Sequence, residues 1–380
     1  MPFLVNMASV ILITGGTGLF GSALIEYYLK NEPDTNIVAL VRADSIQKAR
    51  TRLYTQIKNS PTFSTGLEEL LQKRVRTVAG DFTKYQFGLR ASEFTELQQS
   101  VTDIIHSGAS VDFGLPISEA RVINVDGTKN VLEFACHCKK LNSFHQISTG
   151  HVAGKRYGTI MENEIDTKQG FFNSYEQTKA ESELLVHKYM DRIPAAIHRL
   201  TTVIGDHTTG YIRQFGFFHN SVRLLSQGMI PFLAGSRTGH LDLIPIEYPV
   251  QAVHYLHRQN FRPGTTYHIC AGPERSFTLQ EFLYETVDHF KKVLNSPNLK
   301  PPDIFSEKEF ENRIAQSENT RITAILSALD TFIGHLTLPK IFDQSNTVRD
   351  LAGSGIEAPL IRSYYFKVLD ECVRRRFGKK

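Results

Sequence analysis

The chain reads ILITGGTGLFGSALI at residues 11–25. Its opening apolar run is typical of a buried parallel strand, and the segment from Ala23 onward has the apolar spacing of a helix. Between them stand Gly15, Gly18 and Gly21, a spacing typical of turns that hold the pyrophosphate of a dinucleotide at a helix N-terminus. The stretch therefore predicts a dinucleotide-binding unit, and the alternative is a glycine-rich loop that binds nothing.

The composition argues against several classes of protein. The formal net charge is +4 over 380 residues and the basic residues are spread along the chain, so we predict no nucleic-acid partner. The N-terminus lacks a basic signal-peptide start and no run of about twenty apolar residues occurs, so we predict a cytoplasmic protein without membrane insertion. The four cysteines lack the paired spacing of a zinc site, so we predict no metal.

Strand patterns alternate with helical patterns along the first half of the chain. After the first strand they recur at residues 36–42, 77–81 and 144–150, and another begins at Asp103. This alternation predicts an α/β fold with a doubly wound parallel Rossmann sheet. We assign this dinucleotide-binding domain to residues 8–210 and 241–275. A smaller, mostly helical substrate-binding domain is assigned to residues 211–240 and 276–380.

The end of the second strand indicates which dinucleotide binds. An NAD-binding unit has an acidic residue there for the ribose hydroxyls, whereas this chain has Arg42. A guanidinium suits a 2′-phosphate, and Arg50 or Arg52 on the following helix adds a second charge. We therefore predict NADPH, although Asp44 nearby leaves NAD open.

A tyrosine and a lysine mark a candidate catalytic site. Tyr175 and Lys179 are spaced i and i+4 in a helical pattern, which places both side chains on one helix face. A phenol has a pKa of about 10, and a nearby ammonium favours its ionised form. Such a pair alone is often an ordinary solvated pair. After a glycine-rich turn and a strand that ends in Ser148 and Thr149, it predicts acid–base catalysis.

These motifs together resemble the extended short-chain dehydrogenase/reductases, over roughly residues 8–280. Within that superfamily four phrases resemble the thioester reductases: VRA at 41–43, GD at 80–81, IHSGASVDF at 105–113 and NVDGT at 124–128. The histidine-containing phrase is the most specific of them. Thioester reductases release acyl chains from the carrier proteins of nonribosomal peptide and polyketide synthases, and they are related to fatty acyl-CoA reductases.

The resemblance implies a reaction and a role for each residue. An acyl thioester on a separate carrier protein or on CoA is reduced by NADPH to an aldehyde, or further to an alcohol, in natural-product or lipid biosynthesis. Tyr175 would donate the proton, Thr149 would hydrogen-bond the carbonyl oxygen, and Lys179 would hold the ribose hydroxyls.

Further cofactor contacts are expected along the same edge of the sheet. Small residues after the fourth strand let the backbone lie against a cofactor, and the acid after the third strand could hydrogen-bond the adenine. His106 is expected to be a packed core histidine rather than a catalyst. The full set of expected contacts is Thr14, Gly15, Thr17, Gly18, Leu19, Phe20, Gly21, Arg42, Arg52, Asp81, Phe82, Ser107, Gly108, Ala109, Asn124 and Lys179.

Several alternatives stay open. A sugar-nucleotide epimerase or a hydroxysteroid-type dehydrogenase has the same fold, and a catalytically silent NADPH-binding regulator belongs to another class. The aromatic-rich residues 211–240 form either a wall of the acyl pocket or ordinary core. The basic C-terminus, including Lys379 and Lys380, meets an acidic carrier protein or is a solvated tail.

Overall fold

The computed structural model describes residues 9–317 and 319–378. Its strands are short, apart from those of the central sheet. They are β1 (Ser9–Thr14), β2 (Thr35–Val41), β3 (Val75–Ala79), β4 (Asp103–His106), β5 (Ser143–Thr149), β6 (Gly158–Ile160), β7 (Ala195–Leu200), β8 (Thr202–Gly205), β9 (Phe232–Ala234), β10 (His240–Leu241), β11 (Leu243–Pro245), β12 (Thr266–Ile269), β13 (Phe277–Thr278), β14 (Asp303–Phe305) and β15 (Lys340–Phe342).

The helices connect and cover these strands. They are α1 (Leu19–Asn31), α2 (Ile46–Lys58), α3 (Thr65–Arg74), α4 (Ala91–Ser100), α5 (Ile117–Arg121), α6 (Gly127–His137), α7 (Ser174–Tyr189), α8 (Phe217–Ser226), α9 (Glu247–Arg258), α10 (Leu279–Val293), α11 (Glu307–Ala315), α12 (Thr320–Ala328), α13 (Asp330–Thr337), α14 (Ser345–Leu351) and α15 (Tyr365–Arg374). Within the described residues, none of them is long and apolar enough to cross a bilayer.

The central sheet has seven strands in the order β12-β7-β5-β4-β1-β2-β3, and every neighbouring pair is parallel. The strand order reverses between β1 and β4. In open parallel sheets, ligands bind at the carboxyl ends of the strands at such a reversal. The sheet confirms the predicted doubly wound Rossmann fold and directs attention to the loops after β1 and β4.

Successive residues of β1 point to opposite faces of the sheet, and both faces are covered. Ile11 and Ile13 pack among side chains of α1, α2 and α9, whereas Leu12 packs with α4 and α6. All three side chains are completely buried. A strand buried on both faces must be apolar throughout, which explains why the first strand reads as a continuous apolar run.

A second apolar core lies outside the sheet. It is built from α8, α10 and α15 together with parts of α11 to α13, and Phe218, Phe282 and Tyr365 are among its buried members. Its members come from segments that the sequence analysis assigned to the helical unit, residues 211–240 and 276–380, and from Ile204, Leu241 and Leu243 beside them. The first residue of the predicted boundaries, residue 8, and Lys379 and Lys380 lie outside the described residues.

The structure differs from the predicted boundary at residues 340–358. Strand β15 pairs in parallel with β6, and Leu351 and Ala358 belong to the core on one face of the central sheet. The Tyr267 hydroxyl donates a hydrogen bond to Asp350 Oδ2 at 3.0 Å. These contacts join segments far apart in sequence, so no local sequence pattern predicts them. The C-terminal segment therefore contributes both to the unit around the central sheet and to the helical unit.

Buried histidines make the sheet sensitive to acid. His145 on β5 and His198 on β7 are fully buried, and His145 Nδ1 lies 2.9 Å from His198 Nε2. Burial, together with the charge of His257, lowers the pKa of His198 to about 3. The folded state therefore keeps this imidazole neutral, while the unfolded chain protonates it near pH 6.5. The contribution of neutral His198 to the free energy of unfolding is therefore fully present above about pH 6.5 and is lost as the pH falls toward 3.

We expect that contribution to fall by about 1 kcal/mol between about pH 6.5 and 5.5. Replacing His198 by Gln should make the free energy of unfolding that much less dependent on pH over this interval. Urea unfolding at the two pH values measures the difference. His137→Gln, at an exposed histidine, is the matched control. Equal pH dependence in wild type and His198→Gln would contradict the prediction.

Candidate active site

The glycine turn after β1 is packed against the loop after β4. Gly15 has a φ of 70°, and a Cβ atom there would lie 2.6 Å from the backbone nitrogen of Gly108. A Cβ atom on Gly21 would lie 2.4 Å from the carbonyl oxygen of Gly15. Helix α1 begins directly after Gly18, without a side-chain cap. The N–H groups of its first turn therefore have no side-chain acceptor, which is the arrangement that suits an anion at a helix N-terminus.

The expected contacts of this turn divide by exposure. Gly15, Thr17, Gly18 and Leu19 are partly exposed and can meet a ligand, as can Ser107 and Ala109 across the crevice; Phe20, Gly21 and Gly108 are buried and shape the turn. The Ser107 hydroxyl donates to the Thr14 carbonyl at 2.7 Å, which joins the two loops.

Thr14 supports the turn instead of contacting a cofactor, which corrects its expected role. The residue is fully buried, and its hydroxyl lies 2.6 Å from His106 Nδ1 and accepts a hydrogen bond from Gly108 at 3.2 Å. His106 Nε2 lies 3.1 Å from the Thr128 hydroxyl. Burial, and secondarily the charge of Lys179, lowers the pKa of His106 to about 3. The structure confirms His106 as a neutral core histidine.

Asn124 and Phe82 also act by holding the loop after β4. The Asn124 side chain is buried, donates to the Ser110 carbonyl at 3.1 Å and to the Thr178 hydroxyl at 2.9 Å, and accepts from the Ser110 amide at 2.8 Å. The Phe82 ring lies 5.3 Å from the His106 ring and occupies the space that a Cβ on Gly108 would need. All three hydrogen bonds of the Asn124 side chain are thus made within the protein, to Ser110 and Thr178.

A polar cavity of about 530 Å³ opens beside the ends of β2 and β3. Arg42 and Arg52 line it, and an Arg52 guanidinium nitrogen donates to the Arg42 carbonyl. Asp44 also lines the cavity, but its carboxylate pairs with Lys48 at 2.8 Å. The wall therefore presents an excess of positive charge, which suits a phosphate.

The sequence analysis did not predict two further cations that line this cavity, Lys48 and Lys84. Lys48 stands four residues before Arg52 on α2, so helical spacing could have found it. Lys84 follows Asp81, whose Oδ1 accepts from the Thr83 amide at 3.0 Å and the Thr83 hydroxyl at 2.8 Å. That carboxylate therefore also holds the turn that carries Lys84.

The predicted catalytic residues meet where β5 ends and α7 begins. Asn173 caps α7 by accepting a hydrogen bond from Glu176 at 2.9 Å, which starts the helix one residue before Tyr175. Thr149 is the last residue of β5 and accepts from the His151 amide at 3.2 Å. Thr149 also hydrogen-bonds with Tyr175. Strand and helix thus bring together two side chains that are 26 residues apart.

Tyr175 is a protonated phenol in this site. Burial raises its pKa to about 12, the hydrogen bond with Thr149 acts in the opposite direction, and Glu176 and Glu183 raise the pKa further. Lys179 Nζ donates to the Ile147 carbonyl at 2.8 Å. Burial lowers the Lys179 pKa to about 8, against the charge of Glu183. The pKa of Tyr175 therefore lies above its ordinary value, in the direction opposite to that expected from the spacing to Lys179.

A second, mostly apolar cavity of about 160 Å³ lies beside these residues. Phe113 lines it, and the centre of its ring is 5.7 Å from that of Tyr175. Phe217 and Phe218 of the aromatic-rich stretch line it as well, whereas Leu225 of the same stretch is buried in the helical core. Residues 211–240 thus contribute to both the cavity wall and the core.

A polar cluster on the wall of this second cavity escaped the sequence reasoning. His335 Nε2 lies 2.7 Å from Glu176 Oε1, and the His151 ring centre is 4.6 Å from that of His335. Possible ligand atoms of the three residues lie within 4.8 Å of one another. Lys340 Nζ lies 3.4 Å from His335 Nδ1, and an ammonium so close opposes binding of a cation. His335 is 159 residues from Glu176 in the chain, so no local pattern pointed to it.

Comparison with known proteins agrees with this architecture. The chain is similar to the isonitrile lipopeptide synthase of Streptomyces coeruleorubidus, at 26% identity over 96% of this chain and 24% of that protein. It is also similar to the chloroplastic fatty acyl-CoA reductase 2 of Arabidopsis thaliana, at 35% identity over 40% of this chain and 26% of that protein. It thus spans about a quarter of the length of each.

Among solved structures, the terminal R domain of the myxalamid PKS-NRPS pathway has a TM-score of 0.81 at 24% identity, over 98% of this chain and 93% of that one. The model of the male sterility protein family, an NAD-binding family, matches residues 13–253. This match confirms the resemblance seen in the sequence motifs. The chain belongs to the male sterility protein family and carries its NAD(P)-binding domain.

Proposed function

We propose that this protein reduces the carbonyl of an acyl thioester to an aldehyde with NADPH. The observation that carries the proposal is the Tyr175 phenol, which hydrogen-bonds with Thr149 and packs against Phe113 on the wall of an apolar cavity. A dinucleotide fits the crevice, because Gly15, Thr17, Gly18 and Leu19 of the glycine turn are partly exposed and the N-terminus of α1 has no side-chain cap. A thioester fits the other side, where aromatic side chains can cover an acyl chain.

The protein's own residues act on the carbonyl oxygen. NADPH, when bound, supplies the hydride that is added to the carbonyl carbon. Thr149 donates a hydrogen bond to the oxygen, and Tyr175 transfers its proton to that oxygen as negative charge develops. The resulting hemithioacetal loses the thiol, leaving the aldehyde. Lys179, now on the Ile147 carbonyl, is placed to exchange that partner for the ribose hydroxyls.

The proposal also specifies which dinucleotide is used and which kind of molecule carries the acyl thioester. Arg42 and Arg52 on the polar cavity support NADPH over NADH, because two guanidinium groups favour the 2′-phosphate. Similarity to a lipopeptide synthase and to a fatty acyl-CoA reductase supports a thioester held by a carrier protein or by CoA.

A single-turnover assay with acyl-carrier and acyl-CoA thioesters tests this function. We expect loss of the reduced-nicotinamide absorbance in stoichiometric amount, and mass spectrometry should find the aldehyde or the derived alcohol. An epimerase would leave the dinucleotide pool unchanged, and a silent regulator would bind NADPH without turnover. Either result, across a broad panel of thioesters, would overturn the proposal.

A further inference from the structure

His151, Glu176, His335 and Lys340 form a polar cluster on the wall of the apolar cavity beside Tyr175. Asp242 also lines the cavity, but its carboxyl group already accepts hydrogen bonds from the Thr201 hydroxyl and from the amides of Ala271 and Gly272. Three side chains of the cluster satisfy one another. Because the Lys340 ammonium can only donate, His335 Nδ1 accepts from it, and His335 Nε2 then donates to Glu176. Glu176 also accepts from the Asn173 side chain at 2.7 Å and from the Phe172 amide at 3.2 Å.

His151 differs from the other three residues of this cluster, because its imidazole takes no part in their hydrogen bonds. Its backbone amide donates to the Thr149 hydroxyl, and its ring is tilted by 60° to that of His335, but neither ring nitrogen has a hydrogen-bond partner among the described residues. Burial lowers the pKa of His151 to about 3, so the ring is neutral. His151 is partly exposed and lines the cavity, and its neutral imidazole offers one N–H donor and one acceptor nitrogen to a polar group that enters there.

The charges of the wall indicate what kind of group would pair with that imidazole. The Glu176 carboxylate and the Lys340 ammonium face the same cluster and balance one another, and burial holds the pKa of His335 at about 3. A charged substrate group would meet a like charge there, whereas a hydroxyl or an amide both donates and accepts without charge.

We propose that His151 forms a subsite for a hydroxyl or amide group on the acyl chain, close to the thioester. This inference rests on the proposed function and narrows its substrate class. The Cα atoms of Thr149 and His151 are at most about 7 Å apart, so we expect the group on the part of the acyl chain nearest the thioester. A 3-hydroxyacyl chain and an N-acylaminoacyl chain are the two sources of this chemistry.

Equilibrium binding tests the subsite without requiring turnover. Hexanoyl, 3-hydroxyhexanoyl and N-acylglycyl thioesters of N-acetylcysteamine are titrated calorimetrically into the full chain with saturating NADP⁺, which has no hydride to give. We expect one or both of the polar thioesters to bind about tenfold more tightly than the hexanoyl thioester, about 1.4 kcal/mol. The thioester that binds more tightly shows whether the subsite takes a 3-hydroxyacyl chain or an N-acylaminoacyl chain.

Three variants relate this preference to His151. His151→Phe keeps a ring against His335 and should reduce the ratio of affinities to near unity, whereas His151→Gln keeps a donor and an acceptor and should retain part of it. His137→Phe, at an exposed histidine, should leave the ratio unchanged. Equal binding of the thioesters by the wild type, or a preference that survives in His151→Phe, would overturn the subsite. Preferential binding without reduction by NADPH would overturn the proposed function and leave the subsite standing.

Discussion

Replacing Tyr175 by phenylalanine should lower kcat about a thousandfold, within the range that a positioned general acid contributes. The hydroxyl is the one group of that side chain that can give a proton to the carbonyl oxygen. Because burial raises its pKa to about 12, the phenol is fully protonated at neutral pH and ready to donate. Phenylalanine retains the ring that packs against Phe113 at 5.7 Å, so the cavity keeps its shape.

Single-turnover rates measure this effect, and fluorescence titration shows whether NADPH still binds. We expect the dissociation constant of NADPH to change less than about threefold, because the proton donor contributes in the transition state. Tyr189→Phe is the control: it removes the same hydroxyl about 21 Å further along α7, at 1.5 Å per residue. A Tyr175→Phe enzyme that turns over at the wild-type rate would remove this residue from the mechanism.

Replacing Arg42 and Arg52 together by alanine should weaken NADPH binding about 100-fold and leave NADH binding nearly unchanged. Each guanidinium can make charge-assisted hydrogen bonds worth about 1.5–3 kcal/mol to the 2′-phosphate, a group that NADH lacks. Lys48 and Lys84 remain on the cavity wall and retain part of the attraction. The double variant should therefore prefer NADPH over NADH less strongly than the wild type does. Some preference should remain, because the two lysines keep positive charge on the cavity wall.

Titration of each variant with both cofactors measures this preference. Arg50→Ala is the matched control, because Arg50 stands on the same helix and does not line the cavity. The effect should shrink as salt rises, since exposed charges are screened. Equal weakening of NADPH and NADH would show that the two arginines support the local fold instead of reading the phosphate.

Local patterns in the sequence were enough to predict the fold and the helix that carries Tyr175 and Lys179. An apolar strand followed by closely spaced glycines has few physical alternatives, because close approach of the loops around Gly15 excludes any side chain there. The spacing of Tyr175 and Lys179 places both on one face of α7 whatever packs around it. Arg42 could be placed near the dinucleotide because it ends the second predicted strand, and the carboxyl ends of parallel strands lie at one edge of the sheet.

The roles of individual polar residues required the tertiary structure. Thr14 and Asn124 were expected to meet a cofactor, yet both are buried and hold the loop after β4. The motif identifies such residues, but only their surroundings decide whether a hydroxyl or amide faces a ligand or a neighbouring loop. The same holds for the pKa of Tyr175, which spacing to Lys179 suggested would fall and burial instead raises.

The sequence by itself determined the parallel sheet, the dinucleotide turn and the Tyr175 site, because these depend on residues that are neighbours along a strand or a helix. The tertiary structure alone decided that β15 pairs with β6 and that His335 meets Glu176 and His151 beside the cavity. Those contacts join segments more than 150 residues apart, and their formation depends on packing between units, for which a linear pattern carries no period or spacing.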